Sequence, residues 1–171
     1  MRNNRRSKKA FTLLEALVAL SGACLVVSLA LASLIHTHLA ARDQERVVGL
    51  EKVAAALEQY EKDNGHFPRE TEGANGNISA NQKFISMMRP YLSSVPIDPA
   101  GAGDPTFYYY YDGSAQCGNE KMAIVFARQM DIASDANYPQ FLTQTCRGIL
   151  DGEGRGGGTE SYNILLGKSG G

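Results

Sequence analysis

The residues most able to do chemistry in this chain lie near its start, in Ala10-Phe11-Thr12-Leu13-Leu14-Glu15. Glu15 is the only charge between Phe11 and Ile35. A carboxylate in such apolar company needs an opposite charge nearby. Hydrolysis of the Ala10–Phe11 amide would supply one, because it would leave Phe11 with a free N-terminal ammonium. The amine of Phe11 in a neighbouring copy could then pair with Glu15.

Other reactive residues are sparse. The chain holds three histidines. His36 and His38 follow the apolar run and read as interfacial polar residues, and His66 sits in a turn beside Phe67. There is no phosphate-binding loop, no HExxH and no GxSxG. No serine has an evident base and orienting group close in sequence. The chain therefore reads as something acted upon, with no catalytic residue and no enzymatic activity expected.

These residues have to be positioned by the apolar run itself. From Phe11 to Ile35 it is long enough to cross a bilayer as a helix, which takes roughly 20 residues. Arg2, Arg5, Arg6, Lys8 and Lys9 precede it and should remain in the cytoplasm, so the rest of the chain faces outward. Three readings compete. A secretory signal peptide would be cut at Ala30-Leu31-Ala32, before Ser33. A plain single-pass anchor explains length and orientation but not Glu15. A leader removed after Ala10 gives Glu15 a role, and is the reading adopted.

The chain has 171 residues and a formal net charge of −1. Five of its 17 basic residues lie in the leader, so the remainder carries about −6. An acidic exterior argues against direct nucleic-acid binding, which relies on excess Lys and Arg. If the segment after the run is exported, Cys117 and Cys146 can form a disulfide. Closing that loop would contribute roughly 3–4 kcal/mol. Two unpaired thiols are the alternative.

Helical spacing continues from Arg42 to Asp63, with Leu50, Val53, Leu57 and Tyr60 on one apolar stripe. Asn64-Gly65 and then Pro68 end it. Arg69 to Gln82 reads as a loop. Lys83 to Leu92 reads as a short helix with Phe84, Ile85, Met88 and Leu92 inward. Thr106–Tyr111 is predicted as a strand with two of its four tyrosines packed and two facing out. Lys121–Arg128 follows, with Met122, Ile124 and Phe126 on one face and Ala123, Val125 and Ala127 on the other. Tyr162–Leu166 would be the last strand. The predicted fold class is α+β: a long N-terminal helix, half transmembrane and half amphipathic, against a small antiparallel β-meander. The expected divisions are residues 1–10 as leader, 11–35 as transmembrane helix, 36–64 as its amphipathic continuation and 65–171 as a globular head.

Lys8-Lys9-Ala10-Phe11-Thr12-Leu13-Leu14-Glu15 resembles the leader junction of type IV pilins and type II secretion pseudopilins. Ala10 stands where that family usually has glycine, and both are small. Two later stretches are similar to turns of the same family: Tyr60 to Pro68, and Val95-Pro96-Ile97-Asp98-Pro99. The resemblance covers residues 1 to about 112. It implies a pilin-like fold, cleavage after Ala10 by a prepilin peptidase, N-methylation of Phe11, and Glu15 as the assembly residue. It also implies partners: copies of itself, other pilins or pseudopilins, and an inner-membrane assembly platform, with membrane lipid around the helix beforehand. The subunit would sit in the inner or cytoplasmic membrane with its head outside, then in a filament. Some major pseudopilins bind calcium in a C-terminal loop. Here Asp151, Glu153 and Glu160 are the candidate oxygens, although their spacing is not that of an EF-hand; the alternative is a glycine-rich loop without metal and a protein without cofactor. A type II secretion pseudopilin is the reading adopted. The alternatives are a type IV or competence pilin, or an exported or membrane-anchored binding protein.

Overall fold

The computed structural model describes residues 12–101, 108–113, 121–132 and 161–167. The first described element is a 52-residue helix, α1 (Leu13–Asn64). It contributes to two compact units, one up to His38 and one from Leu39 onward.

The first unit is helix alone. Its large apolar side chains from Leu13 to Ile35 are 55–87% exposed, so none of the described residues covers them. By length and composition α1 is apolar enough to cross a membrane. Its polar groups suit that setting. The hydroxyls of Ser21, Ser28 and Thr37 donate to the carbonyls of Val18, Cys24 and Leu34 at 2.8–2.9 Å. Such back-bonding leaves fewer polar groups facing hydrocarbon.

The second unit begins where α1 acquires a buried stripe. Leu50, Val53 and Leu57 are fully buried and Tyr60 nearly so, at the spacing of three and four that places them on one helix face. The helix stops as its sequence predicts. Gly65 takes φ +77°, and its N–H donates to the Glu61 carbonyl at 2.7 Å. Pro68 follows, its carbonyl accepting the buried hydroxyl of Tyr110 at 2.8 Å.

Among the described residues, four strands form one antiparallel sheet in chain order: β1 (Gly76–Asn77), β2 (Tyr108–Asp112), β3 (Ala123–Ala127) and β4 (Tyr162–Leu166). Tyr108 pairs with Ala127 and Asp112 with Ala123; Ala123 in turn pairs with Leu166 and Ala127 with Tyr162. This register puts Tyr108, Tyr110, Ala123, Val125 and Ala127 in one core with the buried stripe of α1. The predicted meander, its helix partner and the two faces of β3 are all observed.

Four details differ from expectation. Residues 69–82 are not all loop. Glu70–Glu72 makes a 3-10 turn, and Gly76–Asn77 adds a fourth strand along β2. Two residues are too few to show alternation, so β1 left no pattern to read. The second helix, α2, spans Gln82–Met88 rather than reaching Leu92. Asn81 caps it by accepting from the N–H groups of Lys83 and Phe84. Phe84 and Met88 are buried as expected, whereas Ile85 is only half-buried. β3 spans Ala123–Ala127, also shorter than the predicted Lys121–Arg128. Finally, Tyr109 and Tyr111 do not simply face out. They stack on Phe126 with centroid separations of 5.6 and 6.0 Å, forming a second apolar layer with Met122, Ile124 and Leu165. A ring in a strand buries its face wherever a second ring lies across the ladder.

Burial of Tyr60, Tyr108 and Tyr110 pushes all three phenols above their ordinary pKa; Asp98 adds to the effect at Tyr108 and Asp112 at Tyr110. The folded head holds them neutral, while the unfolded chain ionises them near pH 10. Their contribution is therefore fully present below about pH 10 and is lost as pH rises from there towards the folded values. The unfolding midpoint should stay level between pH 8 and 9 and fall above about pH 10. Tyr110→Phe should flatten that fall, and near-UV circular dichroism against pH checks both.

Candidate functional site

Two arrangements could carry function, one in each unit. The first is the start of α1. Thr12 stands just before its first residue, and its Oγ1 accepts the backbone N–H of Glu15 at 3.2 Å. Its carbonyl accepts the N–H of Ala16 at 3.1 Å, the first turn of the helix. Thr12 is thus the N-cap, and Thr12-Leu13-Leu14-Glu15 has the spacing of a capping box. Glu15 lies in the first turn, where the helix dipole favours negative charge. Its side chain is exposed. The local signal for this capping role is the Thr-x-x-Glu spacing itself.

The second arrangement is a buried ion cluster at the start of the second unit. The guanidinium of Arg46 has no solvent exposure. Its Nε and Nη2 donate to the two carboxylate oxygens of Asp98 at 2.9 and 3.1 Å, a bidentate fork. Nη1 donates to Asp43 and, at 2.7 Å, to Asp131. Arg42 also reaches Asp131, at 3.0 Å. Asp43 accepts the backbone N–H groups of Asp131 and Ile132 at 2.8 and 2.7 Å. Asp98 in turn closes its own turn, accepting from Ala100 at its side chain and from Gly101 at its carbonyl. One guanidinium therefore ties three segments: α1, the turn at Pro96–Pro99, and the residues after β3. Gly49 helps the turn lie close, since a Cβ there would stand 3.4 Å from both Pro96 and the Tyr108 hydroxyl. Burial alone would lower the pKa of Arg46, but the hydrogen bonds to Asp98 and Asp131 outweigh it and hold the side chain well above its ordinary value. Arg46 is thus permanently charged. With Arg46, Asp43 and Asp98 buried and only Asp131 and Arg42 reaching solvent, the cluster acts as a structural tie rather than a reaction centre.

Sequence reasoning missed this tie. Its signal was that Asp43 and Arg46 continue, at helical spacing, the stripe of Leu50, Val53 and Leu57. Charges on an apolar stripe need partners, and the partners lie 52 and 85 residues away.

Of the residues singled out from sequence, Glu15 lies within the described structure. Ala10, Phe11, Cys117, Cys146, Asp151, Glu153 and Glu160 lie outside the described residues. Among the described residues, no group of three or more His, Cys, Asp or Glu could hold a metal ion.

The family model described as type II secretion system (T2SS), protein G matches residues 33–125. That is more than half of the chain. The chain belongs to the type II secretion protein G family. The matched stretch takes in the ion tie through Arg46 and Asp98, the turn at Pro96–Pro99, β1, β2 and β3 as far as Val125. It starts at Ser33, so the Thr12–Glu15 cap precedes it. No curated protein and no solved structure matches the chain. Membership makes this a pseudopilin, a structural subunit of the secretion system, and it accords with the pilin-like arrangement of α1 on the sheet. The apolar first half of α1 fits a membrane anchor.

Proposed function

We propose that this pseudopilin is a filament subunit processed after Ala10 by a prepilin peptidase and assembled through the first half of α1. The observation that carries the reading is the uncovered apolar surface from Leu13 to Ile35 in a chain of this family. Such a surface requires lipid before assembly and packed helices afterwards. The five basic residues of the leader hold the N-terminus in the cytoplasm, and the head lies outside. Cleavage leaves the Phe11 ammonium, which the peptidase methylates. Glu15 pairs with that amine on an adjacent copy as the subunit leaves the membrane through the assembly platform. Other pseudopilins join the same filament. Cys117 and Cys146 close a disulfide in the exported head.

The test separates processing from assembly. In Glu15→Val and Glu15→Gln, cleavage after Ala10 should proceed at near wild-type level, while filaments recovered by shearing should fall at least about tenfold. Losing a pairing with a buried charge of roughly 1.5–3 kcal/mol is enough for that change. Normal filament yield from Glu15→Val would remove Glu15 from the mechanism.

A further inference from the structure

We infer that the groove between α1 and the turn at Pro96–Pro99 seats a second copy of this chain, as a head contact between neighbouring subunits. The inference rests on the filament reading above and adds a contact made by the head. Val48 and Gly49 form one wall, Pro96 and Ile97 the other, and Tyr108 the floor of a groove of about 250 Å³.

Among the described residues after His38, Val48 and Ile97 are the large apolar side chains left exposed, at 39% and 62%. Both flank this groove. Asp98, next to Ile97, is fixed inward on the Arg46 fork, so the turn holds Ile97 in place at the lip. A lip already fixed loses little freedom when it is covered. The floor adds a polar atom. Tyr108 is 1% exposed, yet among the described residues its hydroxyl has no hydrogen-bond partner. That hydroxyl stands 3.4 Å from where a Cβ on Gly49 would be, so glycine leaves it open to the groove. Burial keeps the phenol neutral, and it can donate as well as accept. A buried hydroxyl that faces a groove calls for a partner.

The partner that fits is another copy. The chain after its leader carries about −6, so copies repel one another on average. At this groove Glu45 and Lys52 balance, and the repulsion is least there. The patch is also small. Proteins that meet by free diffusion need to bury about 1,200 Å² or more for a stable complex, which two exposed apolar side chains do not approach. Subunits of one secretion assembly, tethered by their own helices, meet at high effective concentration, where a weak contact suffices. A secreted passenger has no such tether.

The experiment compares filaments sheared from cells that produce full-length variants. Val48→Asp and Ile97→Asp place a charge in the groove, and each should lower the yield by at least about tenfold. Tyr108→Phe removes only the hydroxyl and should lower the yield by about fivefold, the effect of one hydrogen bond. Its unfolding midpoint should stay at the wild-type value, because none of the described residues bonds that hydroxyl. Gln82→Asp, an exposed change on α2 that does not line the groove, should leave the yield unchanged. Ile97→p-benzoylphenylalanine should cross-link on illumination into an adduct of two subunits. Wild-type yield from Ile97→Asp would overturn the inference. So would a midpoint of Tyr108→Phe that falls in step with its yield, an equal loss in Gln82→Asp, or an adduct to any other protein. Wild-type cells without filaments would remove the filament reading and this inference together, a result distinct from the others.

Discussion

Replacing Arg46 with alanine should destabilise the head by about 3–5 kcal/mol, the cost of breaking a buried ion pair from one side. Among the described residues, Asp98 would lose both donors of its fork and keep the Ala100 N–H, while Asp43 would keep the N–H groups of Asp131 and Ile132. Two carboxylates with almost no exposure would then lack a counter-charge. Arg46→Lys should recover part of the loss, since an ammonium supplies charge but not the planar fork. Because three segments meet at this side chain, the loss should be cooperative: one transition at a lower midpoint, rather than local release of the turn. The protein has no tryptophan, so thermal unfolding in detergent is best followed by near-UV circular dichroism of its tyrosines. A shift equivalent to less than about 1 kcal/mol, as for an exposed pair, would contradict the buried tie.

The second large effect is expected at Gly167, just beyond β4. Its φ is +86°, and a Cβ built there would stand 1.8 Å from the Lys121 carbonyl oxygen. An L side chain meets two costs at once. Left-handed backbone costs roughly 1–2 kcal/mol, and relieving the overlap requires a backbone shift of the kind that costs roughly 1–3 kcal/mol. Gly167→Ala should therefore destabilise by about 2–5 kcal/mol. The shift would fall on Leu166, which is buried in the core opposite Ala123. Gly65→Ala is the matched control. Its φ of +77° is similar, but a Cβ there meets nothing within 4 Å. It should lose only the backbone share, about 1–2 kcal/mol. Equal losses in the two variants would show that the Lys121 contact contributes nothing.

These two residues mark the boundary of what the sequence could reveal. The course of α1 was legible because its signals are local: an apolar run, a stripe at spacing three and four, and Asn64-Gly65 at the end. The strands were legible from their alternation and β-branched or aromatic content. Arg46 and Gly167 act through partners distant in the chain, and neither carries a local pattern. The same reason hid β1, whose two residues are a strand only because Tyr109 and Tyr110 lie beside them. It also hid the stacking of Tyr109 and Tyr111 on Phe126, which depends on the β2–β3 register. At the N-terminus the order is reversed. Ala10, Phe11 and Glu15 stand out in the sequence through charge, size and spacing. The fold adds the Thr12 cap, a contact three residues long that Thr-x-x-Glu already contained.

The central claim is that a leader ending at Ala10 is removed, leaving Phe11 as the working terminus. Mass spectrometry of the mature protein, purified from cells with their own processing enzymes, tests it most directly. The expected result is a chain beginning at Phe11 with one added methyl on its amine. A chain beginning at Ser33 would make the apolar run a secretory signal and leave Glu15 without a function. An intact leader would make the run a plain anchor, and either of these results would contradict the account.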